Sequence, residues 1–228
     1  MELLPINLGI VRQAGNPNLS EKAAAQMAEL RPKILERDAH TCRFCGFKSS
    51  KYQEIVFLNG QGQDVRPENM ATGCIFCHQC FDLERASTMN SGVLVWMPEL
   101  TQAQLNHLAR AIYVARISQG TMADAARTAL DTIMARREDA KVRLASDDPF
   151  FLYTVLRDFV GPKNYAERVQ KLDGIRLFPL DRRNITEGEL KFNQFPQILA
   201  YWRSKDGPFG AVPPASWKTI YAKIKAAA

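Results

Sequence analysis

Two cysteine knuckles constrain this chain more than any other feature: CRFC at residues 42–45 and CIFC at residues 74–77, the second followed at once by HQC. A C-x2-C turn presents two thiolates from one tight bend, and two such turns supply the four soft ligands that a tetrahedral zinc ion takes at about 2.3 Å. All five cysteines of the 228-residue chain fall between Cys42 and Cys80, so they are not scattered core residues. The spacing predicts one structural Zn2+ per chain held by Cys42, Cys45, Cys74 and Cys77. Cys80 stands one knuckle spacing after Cys77; it is read as a buried thiol, with Cys77/Cys80 as the competing second pair.

Reduced, metal-held thiolates suit a cytoplasmic protein. The opening MELLPINLGIVRQAG has neither a basic start nor a long apolar run, so no signal peptide is expected, and no apolar stretch reaches membrane-spanning length. Net charge is +6, unevenly spread. Residues 1–100 carry 10 Lys/Arg against 11 Asp/Glu, a net of −1, and residues 101–228 carry 20 against 13, a net of +7. A zinc module that grips DNA concentrates positive charge around itself to meet phosphates, and this one does not. The expected division is residues 1–100, with the zinc stretch at 38–86, and a mainly helical region at 101–228 packed with it.

Local signals fill in the elements. A helix is expected from Ser20 as cap, with an apolar stripe of Ala23, Ala24, Met27 and Leu30, restarting or kinking at Pro32 because proline lacks the N–H an inner turn needs. Glu54–Leu58 reads as a strand, Asn59-Gly60 as a turn, and residues 78–86 as a short helix over the second knuckle. VLVW reads as a strand. Thr101-x-x-Gln104 is a capping box for a helix to about Ser118, with Leu105, Leu108, Ile112 and Ala115 inward. One helix is expected from Met122 to Leu144 and another from Asp148-Pro149. A short helix at 165–172, an extended run Ile175–Leu180, and helices near 196–203 and 214–226 complete the chain. The fold class predicted is α+β.

The order CxxC, strand, Asn, CxxCH, with the lead-in LERDAHTCRFCG, resembles the zinc-bearing HNH endonuclease module, a ββα-metal, treble-clef-like unit. That resemblance places Asn69 and His78 at the module's Asn and final His. It also calls for a histidine pair at the strand end, where this chain has Val56 and Phe57. Neither takes a proton or binds a hard cation. His40 and His107 lie elsewhere in the sequence, and Glu54 lies upstream of the missing pair. The resemblance therefore implies a zinc fold without nuclease chemistry, with His78 and Asn69 as structural residues. The alternative is an HNH-type nuclease or nucleic-acid-binding protein with displaced catalytic groups.

Most of the chain resembles the IcmJ/DotN family of type IVB secretion systems, through LLPINLG, ERDAHTCRFCGFKSSKYQE, CHQCF, VLVWMPELTQAQLNHLARAIYVA and FPQILAYWRSKDG. That resemblance implies a non-catalytic zinc-binding adaptor of the coupling complex. Such a subunit binds the C-terminal extension of a DotL-type coupling ATPase and supports effector recruitment with chaperones of the same complex. It stays in the cytoplasm and reaches the inner-membrane face through the ATPase, without inserting itself. Tyr201, Trp202 and Trp217 are the candidate partner-binding aromatics, with core packing as the equal alternative.

Overall fold

The computed structural model describes residues 2–12 and 17–227. In chain order the elements are helix α1 (Pro17–Arg37), strands β1 (Gln53–Phe57) and β2 (Met70–Cys74), helices α2 (Ile75–Phe81) and α3 (Leu83–Thr88), and strand β3 (Gly92–Trp96). Helices α4 (Gln102–Arg116), α5 (Thr121–Ala135), α6 (Arg137–Leu144), α7 (Pro149–Asp158) and α8 (Arg168–Lys171) follow. Strands β4 (Ile175–Pro179), β5 (Asn184–Glu187) and β6 (Leu190–Asn193) and helices α9 (Phe195–Arg203) and α10 (Trp217–Ala227) close it. The strands form three antiparallel pairs, β1–β2, β3–β4 and β5–β6. The structure is thus a mixture of helices and small antiparallel sheets.

Several expectations hold at residue level. The capping box is complete: Gln104 N–H donates to Thr101 Oγ1 (3.2 Å), and Thr101 N–H donates to Gln104 Oε1 (2.8 Å). Asp148 caps α7 by accepting from Phe150 N–H (2.8 Å), with Pro149 in the first turn. Three expectations differ. Helix α1 begins at Pro17, so Ser20 lies inside it and does not cap it. It also runs unbroken through Pro32, although an internal proline costs about 3 kcal/mol. Tertiary packing outweighs that cost, because Met27, Leu30 and Ile34 seat the helix on Ile55 and Met70 of the β1–β2 pair. The single helix expected over 122–144 is two. It breaks at Arg136, whose carbonyl accepts from Trp96 N–H of β3 (3.1 Å) as well as from Ala140 N–H (3.3 Å), while its guanidinium pairs with Glu99 and Asp139.

The β5–β6 hairpin has no counterpart in the sequence reading. Gly188, with φ +61°, makes its turn. The β3–β4 pair joins Gly92–Trp96 to Ile175–Pro179, so it spans the expected boundary at residue 100. The main core spans it too, joining Cys42, Phe44, Val56 and Phe76 to Leu105, Ile112, Tyr113, Phe178 and Phe195. Gly174 admits this pairing. Its φ is +80°, and a Cβ there would lie 2.3 Å from the Trp96 ring.

A candidate metal centre

The first knuckle is shaped before any metal is considered. Ala39 and His40 adopt left-handed backbone conformations, with φ 51° and 52°, and turn the chain out of α1. Gly46 N–H closes the knuckle on the Cys42 carbonyl (2.9 Å). Arg43 N–H donates to the Thr72 carbonyl (2.8 Å), which pins the knuckle to β2. The second knuckle is the junction of β2 and α2. Cys74 ends the strand and caps the helix, its Sγ accepting from Cys77 N–H (3.4 Å). The antiparallel register Gln53↔Cys74 thus sets where the second sulfur pair stands.

The four sulfurs of Cys42, Cys45, Cys74 and Cys77 are buried and lie within 4.8 Å of one another, with Cys45 and Cys74 Sγ 3.8 Å apart. A tetrahedron with metal–sulfur bonds of about 2.3 Å has edges of about 3.8 Å. Cys80 is outside this group. Its thiol donates to the Phe76 carbonyl (3.3 Å), and burial pushes its pKa up, as befits an inert thiol in an apolar setting.

A buried polar stripe on α4 serves the sulfurs, and sequence reading missed it. Gln102, Asn106 and Arg110 recur at i, i+4 and i+8. The Gln102 amide clamps the Leu177 backbone from both sides (2.7 and 2.9 Å) and donates to Asn106 Oδ1 (3.0 Å). That contact turns Asn106 Nδ2 toward Cys77 Sγ (3.3 Å). Arg110 Nη2 donates to Cys74 Sγ (2.6 Å) and Cys45 Sγ (3.4 Å). His107 Nε2 meets the Cys45 carbonyl (2.7 Å), while its Nδ1 accepts from Arg110 (3.3 Å). Leu108, expected inward, is instead half out of the core. A faint signal existed: three polar residues four apart in a helix otherwise flanked by apolar ones.

Arg110 is the informative member. It is 1% exposed and forms no ion pair with a carboxylate among the described residues. A buried cation without a counter-charge is strongly disfavoured. Burial works against its charge, and the cysteine sulfurs more than restore it, raising its pKa. The rings of Phe47 and Phe76 stack on the guanidinium at 4.2 and 5.3 Å. The donor set fits a metal thiolate centre: four sulfurs that a bound metal would hold as thiolates, N–H donors to soften their charge, and one buried cation to offset the excess.

On the other side of α2 lies a different environment. His78 is 8% exposed and borders a cavity of about 340 Å³ with Arg31, Glu54, Asp82 and Arg85. Glu54 is held by Arg183 (2.6 Å) and Arg85 (3.6 Å). Burial raises its pKa, but His78 and the surrounding arginines outweigh that and keep it below the ordinary carboxylate value. Val56 is buried opposite Ala71 in the β1–β2 pair, and Phe57 is half-buried. Asn69 is a turn residue: its Oδ1 accepts from Asn59 N–H and its Nδ2 donates to the Asp64 carbonyl, each at 2.9 Å. His40 sits in the turn ahead of the first knuckle, its Nδ1 buried.

The candidate aromatics part company. Trp202 is 1% exposed, packed among Phe47, Phe76, Phe195 and Phe209 at centroid distances of 5.5–6.4 Å. It is a core residue, and a partner cannot reach it, so the expected anchor there is withdrawn. Tyr201 is half-buried, its hydroxyl paired with Ser50 Oγ (2.7 Å) and Lys51 over its ring (5.3 Å). Trp217 is half-buried, its indole N–H donating to the Val212 carbonyl (2.7 Å).

Fold and site together define a mixed α and β protein with four buried cysteines positioned to hold one metal ion, compatible with zinc. No known family model matches the chain. It is 33% identical over 152 residues to the type 4 apparatus protein DotN of Legionella pneumophila, across 64% of this chain and 70% of that protein. The chain belongs to the IcmJ/DotN family.

Proposed function

We propose that this protein is a zinc-stabilised, non-catalytic adaptor subunit of a type IVB secretion coupling complex. The observation that carries the reading is the likeness to a type 4 apparatus protein over most of the chain. In this reading the cysteines hold Zn2+, and the knuckles, β1, β2 and α2 form an HNH-like ββα-metal unit embedded in the helical remainder. The Arg110 contacts support the zinc assignment, because they supply the compensation a four-thiolate site needs. The zinc is structural, since four protein ligands leave no open position for substrate.

The partner is the C-terminal extension of a DotL-type coupling ATPase, with effector chaperones of the same complex engaged indirectly. The protein then resides in the cytoplasm and reaches the inner-membrane face through the ATPase; no described helix is long and apolar enough to cross a membrane. Purified protein titrated calorimetrically with the isolated ATPase tail tests this. Saturable one-to-one binding is expected, and its absence sinks the adaptor reading.

One observation favours a second reading, an HNH-type nuclease or nucleic-acid binder: His78 and Glu54 border one open cavity. Against it stand Val56 and Phe57 at the strand end, which offer neither general base nor metal ligand. Magnesium- or manganese-dependent cleavage of plasmid DNA, abolished by His78→Ala, would establish this second reading. No cleavage is the expected result.

A further inference from the structure

Helix α10 is built to be covered. Trp217, Ile220, Tyr221 and Ile224 recur at i, i+3, i+4 and i+7, which gathers them within an arc of about 100°. Trp217 fixes the first turn against the core, beside Phe209 (6.3 Å). Beyond it residues 221–226 are all exposed, with Tyr221 at 68% and Ile224 at 63%. Lysines flank this apolar arc, Lys218 and Lys225 on one margin and Lys223 on the other. The helix carries no acidic residue, and none of the three lysines is ion-paired among the described residues. Its back is Thr219, Ala222 and Ala226.

We propose that α10 is a docking helix that seats in an apolar groove rimmed with Asp and Glu on a protein partner. Trp217 stays against this protein's own core and Ile220 is half-buried, so Tyr221 and Ile224, one turn apart, are the anchors presented to a groove, and cations on both margins call for acidic rims. A second copy of this chain does not fit, since lysine would face lysine across the contact. A lipid surface fits less well, because a helix lying on a membrane keeps a strongly charged face to water. The back of α10 carries only Thr219 and two alanines, small side chains that let a second protein wall approach. This deepens the adaptor reading and rests on it for the partner, the acidic-rimmed segment being part of the coupling ATPase tail.

The test uses the full chain and the isolated ATPase tail, with four proteins compared: wild type, Tyr221→Glu/Ile224→Glu, Lys218→Glu/Lys223→Glu/Lys225→Glu, and Leu190→Glu as a control on exposed β6. The substituted side chains are solvent-exposed, so circular dichroism and metal content are expected to stay unchanged. Both α10 variants are expected to bind at least tenfold more weakly, the lysine variant also losing the salt dependence of binding, while the control matches wild type. Wild-type-like binding by both α10 variants overturns the docking helix and leaves the adaptor reading standing. Failure of wild type to bind the tail overturns both. Binding of wild type to vesicles of equal phosphatidylglycerol and phosphatidylcholine, lost in the α10 variants while tail binding persists, assigns the helix to a membrane and overturns the proposal.

Discussion

Cys77 and His78 are neighbours in sequence and sit in opposite kinds of environment. The Cys77 side of α2 is dry and closed, its sulfurs ringed by N–H donors from α2 and α4 and by the Arg110 cation. The His78 side opens on a cavity, where charged groups are balanced through Glu54 and its arginines. The difference teaches where stability resides. On the closed side the sulfurs and the Arg110 charge have partners that disappear only if the fold fails. On the open side groups can be removed without leaving a buried charge uncompensated, except at Glu54 and Arg183.

The largest break in that contrast comes from the sulfurs. Replacing Cys42, Cys45, Cys74 or Cys77 with Ser is expected to cost more than about 5 kcal/mol, since metal binding and folding are coupled in such centres and the total stability of a domain is of the same order. Metal analysis and thermal unfolding read the effect together; four harmless substitutions with zinc retained would remove the closed centre altogether. Arg110→Met comes next. It keeps the packing against Phe47 and Phe76 but deletes the counter-charge, and metal affinity is expected to fall by about 10–100-fold, measured by chelator competition.

Asp38 sharpens the comparison by pH. Burial raises its carboxyl pKa, but paired hydrogen bonds from Arg37 (2.9 and 3.0 Å) and the Thr72 N–H (2.9 Å) outweigh this and hold it below the ordinary value. A carboxylate lowered by folding stabilises the protein above its unfolded pKa of about 3.9, and that stability is lost as pH falls through the folded value. Asp38→Asn is expected to destabilise by about 2 kcal/mol at pH 7. The gap from wild type should be constant down to about pH 5 and close below about pH 4 in denaturant titrations. A gap that widened in acid would contradict the sign.

The smallest effects lie off the sulfur cluster. Cys80→Ala is expected to cost about 1 kcal/mol, a minor packing loss, with metal content unchanged. His78→Ala should cost no more than about 1 kcal/mol despite its burial, because the ring has an open cavity beside it and no hydrogen bond among the described residues to forfeit. A metal-free His78→Ala protein would show that the two sides of α2 are one centre.

The cysteine knuckles, the capping box at Thr101, the cap at Asp148 and most helices were legible because each is a local signal, complete within a few residues. Spacing left Cys77/Cys80 as a competing pair; the histidine that follows Cys77, as in the HNH-like module, favoured Cys74/Cys77, and the fold brings that pair to Cys42 and Cys45. The β5–β6 hairpin went unread because its Gly188-Glu189 turn is a weak signal and its strands bury little surface. The α4 stripe went unread for a different reason: Gln102, Asn106 and Arg110 look like a solvated face until their partners, the Leu177 backbone and the knuckle sulfurs, arrive from distant parts of the chain.

The sequence by itself determined the ligand types, their pairing into two tight turns, and the elements leading into each turn, because backbone preference and short-range hydrogen bonds act within those stretches. Only the tertiary structure decided the rest. It carried α1 through Pro32, broke the long helix at Arg136, buried Trp202 and left α10 uncovered. For the first three the deciding contact lies far away in sequence: packing on β1–β2, the Trp96 amide, or a cage of rings gathered from residues 47 to 209; for α10 it is the exposure of residues 221–226 among the described residues. Long-range burial outweighs local preference wherever the area or the charge at stake exceeds the cost of a turn, and that balance is set only when the chain has closed on itself.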